Sequence, residues 1–103
     1  MINLIRYYKM DILKLIYDSI DEINDDQEDN EKVEKKEETV IFGDGSSLDS
    51  LGLVNLITII EQRIEEETGD YITIADERAL SMESSPFQTV KTLKEYIEML
   101  INE

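Results

Sequence analysis

Leu48-Asp49-Ser50-Leu51-Gly52-Leu53-Val54-Asn55-Leu56-Ile57 is the stretch on which the reading of this chain turns. Leu53, Leu56, Ile57, Ile60 and Ile64 recur at spacings of three and four, which places them on one side of a helix running from about residue 50 to 67. Asp49 occupies the N-cap position, Ser50 the first helical position, and Gly69 stops the helix. The Ser50 hydroxyl therefore projects at the helix mouth, beside amides that lack intrahelical acceptors. The chain has no histidine and no cysteine, so no imidazole can activate Ser50 as a hydrolytic nucleophile. Ser50 reads instead as a residue to which another enzyme adds a group. A phosphodiester formed there would carry one negative charge, which the positive end of the helix dipole favours by about 0.3–1 kcal/mol. On local chemistry alone, Asp49-Ser50 reads equally as a good helix start.

Outward from this segment, Gly43-Asp44-Gly45-Ser46-Ser47 forms a turn-rich approach, and Val40, Ile41 and Phe42 form an apolar plug that tucks onto the core. Residues 25–39 are almost wholly charged or polar, with Val33 the one aliphatic among them, and are expected to form a long solvated acidic loop. Before it, Ile5, Tyr8, Ile12, Ile16, Ile20 and Ile23 define the apolar face of a helix over roughly residues 3–24. Thr73-Ile74-Ala75-Asp76 has capping-box spacing and predicts a short helix ending near Ser81. Past Pro86, Thr89 is the N-cap of a last helix whose face is Val90, Leu93, Ile97, Leu100 and Ile101. Three long helices and one short one, with no convincing strand, predict an all-α, four-helix bundle in a single domain over residues 1–103.

Ten basic residues against 25 acidic ones give a net charge of −15. Such a surface repels nucleic acid and anionic membranes and asks for partners with basic patches. Without cysteine there is no disulfide frame or thiolate metal site, and without histidine a transition-metal site is not expected. Arg6, Lys9, Asp11 and Lys14 interrupt the N-terminal apolar residues, so no signal peptide is expected. No apolar run approaches the ~20 residues that span a bilayer. A cytoplasmic, monomeric protein without membrane insertion is the expectation.

From Ser46 to Tyr71 the chain resembles the acyl carrier protein family, whose signature is an Asp-Ser-Leu opening the second helix, here Asp49-Ser50-Leu51. Glu61 and Ile64 stand where the family places an acid and a bulky apolar residue. Thr89-Val90 with Leu93, Tyr96 and Ile97 is similar to its final helix, and the helix order long, long, short, long agrees. The resemblance implies a non-enzymatic carrier in which Ser50 receives 4′-phosphopantetheine from coenzyme A through a phosphopantetheinyl transferase. The arm's thiol would carry an acyl group as a thioester, which fits a chain with no cysteine of its own. Asp49 would help the transferase recognise the site, and Leu51 would pack against it. Ser47 is the rival acceptor, but its register puts Glu61 where an apolar residue belongs, whereas the Ser50 register aligns Leu56, Ile60 and Ile64 with the core.

Many fatty-acid carriers have further acids in the first turns of this helix, where this chain has Gly52 and Asn55. Helical geometry puts Leu51, Val54, Thr58, Ile59 and Gln62 on the outward face, a docking patch ringed by Asp49, Glu61 and Glu65. This departure implies a specialised carrier in lipid or secondary biosynthesis. Its partners would be a loading ligase for acyl or aminoacyl groups, and acyltransferase or synthase enzymes with basic docking patches. Space lined by Leu53, Ile57, Ile60 and Ile97 is the expected shelter for a bound chain. Two alternatives stand beside this one: an aminoacyl carrier of the D-alanyl or peptidyl type, and an unmodified acidic helical interaction module. A calcium loop through Asp44, Ser46 and Asp49 fails because Asn55 sits where the closing glutamate should be.

Overall fold

A computed structural model of the chain describes residues 10–25, 27–29, 32–43, 45–75 and 85–102. Among them are three α-helices, α1 (Ile12–Asn24), α2 (Ser50–Thr68) and α3 (Val90–Ile101), and no strand beyond an isolated antiparallel bridge between Val40 and Thr89. α1 packs against both α2 and α3.

The first helix starts later than its apolar spacing predicts. Asp11 is extended (φ −91°, ψ 98°) and its carboxylate accepts a hydrogen bond from the Lys14 amide at 3.0 Å, so it caps α1 rather than continuing it. A short acceptor side chain at this point satisfies an amide that the helix cannot, and local capping wins over periodicity. Ile5 and Tyr8 of the expected face lie outside the described residues. Ile12, Leu15, Ile16 and Ile20 are buried, whereas Ile23 is half-buried. Ser19 is fully buried on the same face, and its hydroxyl donates to the Leu15 carbonyl at 2.8 Å.

α2 follows its sequence pattern closely. Leu53, Leu56, Ile57, Ile60 and Ile64 are all buried. Its end is Gly69 in the left-handed region (φ 76°), where a side chain would be strained, and the Gly69 amide donates to the Glu65 carbonyl at 2.7 Å. α3 opens with Thr89, whose hydroxyl accepts from the Thr92 amide while the Thr92 hydroxyl accepts from the Thr89 amide. This reciprocal cap places Val90, Leu93 and Ile97 in the core, joined by Tyr96. Leu100 and Ile101, predicted on the same face, are half-buried as the helix runs out.

The acidic connection is more closely held than a solvated loop. The Asn24 carboxamide, at the end of α1, donates to the Val33 carbonyl (2.9 Å) and accepts from the Val33 amide (2.8 Å), and the Val33 side chain is buried. Lys35 pairs with Asp21 of α1 at 2.9 Å. Further on, the carbonyls of Glu37 and Thr39 accept from the amides of Lys91 and Val90, and the Ile41 amide donates to the Gln88 carbonyl. The amides of Val90 and Lys91 belong to the first turn of α3, where no intrahelical acceptor exists, so the loop backbone supplies it. Of the expected apolar plug, Ile41 is fully buried and Val40 half-buried, but Phe42 is 47% exposed. With Ile41 turned inward and its amide bound to Gln88, the next side chain along the extended chain points outward.

Of the predicted short helix, Thr73, Ile74 and Ala75 are not helical, and 76–81 lie outside the described residues. Ile74 is nonetheless fully buried, and its amide donates to the Glu61 carboxylate at 2.7 Å.

Candidate functional site

Three local interactions build the mouth of α2. Ser46 turns the chain by accepting from the Leu48 amide at 3.0 Å. The Asp49 carboxylate accepts from the Gly52 amide at 2.7 Å, and the Asp49 carbonyl accepts from the Leu53 amide. Asp49 is thus the N-cap and Ser50 the first helical residue, exposed to solvent. The amides of Ser50 and Leu51 have, by position, no intrahelical acceptor. The Asp49 carboxylate takes the Gly52 amide at this end, and no other acid stands in the first turn.

Gly52 lets the approach loop lie tight on the helix. A Cβ there would stand 3.0 Å from Leu48 Cδ2 and 3.3 Å from the Asp49 carboxylate. Leu48 is half-buried against the core and so fixes the direction from which the chain enters α2.

The outward face of α2 carries Leu51, 68% exposed, and Val54, 56% exposed, with Thr58 and Gln62 also exposed and Ile59 half-buried. Thr58 donates its hydroxyl to the Val54 carbonyl at 2.9 Å, so its donor is satisfied within the helix. Leu51, Val54, Thr58 and Ile59 therefore make one largely apolar strip beginning a residue after Ser50. Of the acids expected around it, Asp49 and Glu65 are exposed. Glu61 is half-buried and engaged by the Ile74 amide, so it serves as an anchor for the connection after α2.

The four residues expected to line a sheltered cavity, Leu53, Ile57, Ile60 and Ile97, are core side chains exposed by no more than 7%. A surface concavity lies elsewhere among the described residues. It has a volume of about 600 Å³ and runs between the end of α1 and the first half of α2, bordered by Glu22, Ile23, Gln27, Ser47, Leu48, Asp49, Gly52, Asn55, Thr58 and Ile59. The docking patch expected from the sequence shares Asp49, Thr58 and Ile59 with this groove, whereas Leu51, Val54, Gln62, Glu61 and Glu65 do not border it and Glu22, Ile23 and Gln27 were not expected there. Their place follows from how α1 lies on α2, which no local pattern encodes.

Elsewhere on α1, Lys14 and Asp18 pair at 2.8 Å, both exposed. The hydrogen bond from Lys14 holds the Asp18 carboxyl below the usual aspartate range, and the same bond raises the Lys14 ammonium. Among the described residues no group of three or more acids, histidines or cysteines is placed to hold a metal ion. Among the same residues, no helix is long and apolar enough to cross a membrane. No protein-family model, curated protein or solved structure matches the chain.

Proposed function

We propose that the chain is an acyl carrier protein, modified at Ser50 by 4′-phosphopantetheine and serving as a substrate for partner enzymes rather than as an enzyme. The observation that carries this reading is an exposed serine hydroxyl at the first position of an aspartate-capped helix, next to an exposed aliphatic strip. The residues present suit the group. Ser50 has open space around it, the unpaired amides and helix dipole favour the phosphodiester, and Asp49 holds the turn in place by its bond to Gly52.

When attached, the arm supplies a thiol that carries an acyl group as a thioester. Ser50 Oγ would hold the group as a phosphodiester, its bond to phosphorus forming as the phosphoanhydride bond of coenzyme A breaks. The serine proton passes to a base on the transferase, and the nucleotide half of coenzyme A leaves. The chain has no histidine, and the carboxylate next to Ser50, that of Asp49, is engaged by the Gly52 amide, so the base for this step would come from the transferase. Asp49 and the Leu51–Val54 strip are the groups positioned to meet that enzyme and the loading ligase, acyltransferase or synthase that follows. The scarcity of acids in the first turns of α2 fits a specialised carrier served by its own enzymes. A four-helix carrier bundle, acting as a cytoplasmic monomer, completes the reading.

The test is intact mass after incubation with coenzyme A and a broad-specificity phosphopantetheinyl transferase, alongside Ser50→Ala and Ser47→Ala. One added phosphopantetheine in wild type and Ser47→Ala, and none in Ser50→Ala, is the expected result. A folded wild-type protein that gains nothing, with several transferases, overturns the reading in favour of an acidic interaction module.

A further inference from the structure

We propose that Gly52 positions Ser50 for modification, by giving Leu48 and Asp49 a seat that a side chain at that place would fill. Gly52 is the third residue of α2, and both residues that precede Ser50 rest on it. The Asp49 carboxylate accepts from its amide at 2.7 Å, and the Leu48 side chain lies across the place where a Cβ would stand. That Cβ would be 3.0 Å from Leu48 Cδ2 and 3.3 Å from Asp49 Oδ1, both closer than ordinary van der Waals contact.

Neither neighbour gives way freely. The Ser46 hydroxyl holds the Leu48 backbone, accepting from its amide at 3.0 Å and donating to its carbonyl at 3.3 Å. The Leu48 side chain packs against the core, and the Asp49 carboxylate is committed to the Gly52 amide. A side chain at 52 therefore displaces the short chain between Ser46 and Ser50, and the exposed Ser50 hydroxyl moves with it. Glycine in a helix costs stability relative to alanine, and Gly52 is not in the left-handed region, so backbone conformation does not call for it. The close approach of Leu48 and Asp49 does. The consequence for catalysis rests on the carrier reading. A transferase needs the Ser50 hydroxyl in one attack geometry, so a displaced helix mouth lowers turnover more than binding.

The experiment is a double-mutant cycle on the full chain with Gly52→Ala, Leu48→Ala and both, read by transferase kinetics with coenzyme A and by amide chemical shifts. Gly52→Ala should lower kcat by about tenfold with KM changed by less than about twofold. Leu48→Ala should lower kcat by only about twofold. In the double variant the nearest remaining Leu48 atom is Cβ, at an ordinary 3.6 Å. Its kcat should therefore return to within about twofold of that of Leu48→Ala. A loss that followed stability alone would run the other way, because the double variant also lacks the Leu48 contact with the core. Gly69→Ala, strained at the far end of α2, is the stability control and should leave kcat within about twofold. In the unmodified chain the Ser50 amide, two residues from either substitution, should shift in Gly52→Ala and move back in the double variant. An unchanged kcat in Gly52→Ala, an unmoved Ser50 amide, or losses that simply multiply in the double variant would each overturn the inference. A folded wild-type chain that gains no phosphopantetheine, while the Ser50 amide follows the cycle, would overturn the carrier reading and uphold the placement of Ser50 by Gly52.

Discussion

Replacing Asn24 by alanine tests how the acidic connection is held to the helices. In the native chain one carboxamide satisfies both backbone groups of Val33, at 2.8 and 2.9 Å, while the Val33 side chain is 4% exposed. Each bond contributes about 1 kcal/mol net, and leaving a buried partner unsatisfied raises the cost towards ~1–3 kcal/mol per group. Asn24 and the two bonds are only partly buried, so water recovers some of the loss and the lower end applies. The expected cost of Asn24→Ala is therefore about 2 kcal/mol. For a chain of 103 residues, with an unfolding entropy of about 2.1 cal/mol/K per residue, that lowers Tm by roughly 9 °C. Asn24→Asp keeps the acceptor but loses the donor and sets a carboxylate against the Val33 carbonyl. It should cost at least half as much at neutral pH. Urea unfolding followed by circular dichroism reads both. A loss below about 0.5 kcal/mol for Asn24→Ala, with an unchanged m-value, would refute the argument and return residues 32–41 to the status of a solvated loop.

Three further outcomes are expected. Asp49→Ala should destabilise the chain by about 1 kcal/mol in the same assay, by removing the cap on the Gly52 amide. Gly69→Ala should cost about 1 kcal/mol, because φ of 76° is strained for any residue with a Cβ. The third concerns the exposed Lys14–Asp18 pair. Folding depresses the Asp18 carboxyl, so the pair's stabilisation is present above the ordinary aspartate value and is lost as pH falls through the folded one. Folding raises Lys14, so on that side the stabilisation holds below the ordinary lysine value and is lost as pH rises through the folded one. An NMR titration should find Asp18 below the usual aspartate range in wild type and returned to it in Lys14→Met or at high salt. No change in Lys14→Met would contradict the assignment.

The parts of the fold written in local signals were legible in the sequence. α2 has a five-residue apolar stripe, an aspartate before it and a glycine after it, and each does in the structure what its chemistry predicts. Thr89 likewise opens α3. Where periodicity and capping disagreed, at Asp11, periodicity misled, because the spacing of Ile5, Tyr8 and Ile12 carries on through a residue whose carboxylate turns back to the Lys14 amide. The acidic connection is the exposed loop expected of it, but its anchors were not legible. Composition registers its charges, but its anchors are single contacts between distant positions: Asn24 with Val33, and Glu37 and Thr39 with the start of α3. The lone Val33 in an acidic run, following Asn24 at a helix end, was the available signal. The site divides in the same way. Asp49, Ser50, Leu51 and Val54 come from one helix and its cap, so spacing placed them; Glu22, Ile23 and Gln27 reach the groove only through packing of α1 on α2.

The central claim is that Ser50 bears an arm that holds its cargo as a thioester. Its most direct test is the intact and fragment mass of the chain purified from cells that also express a phosphopantetheinyl transferase, before and after neutral hydroxylamine. The account predicts phosphopantetheine on the peptide containing Ser50, together with a further acyl or aminoacyl mass that hydroxylamine removes. A chain that stays unmodified, or one modified on another peptide with nothing labile to hydroxylamine, would contradict it.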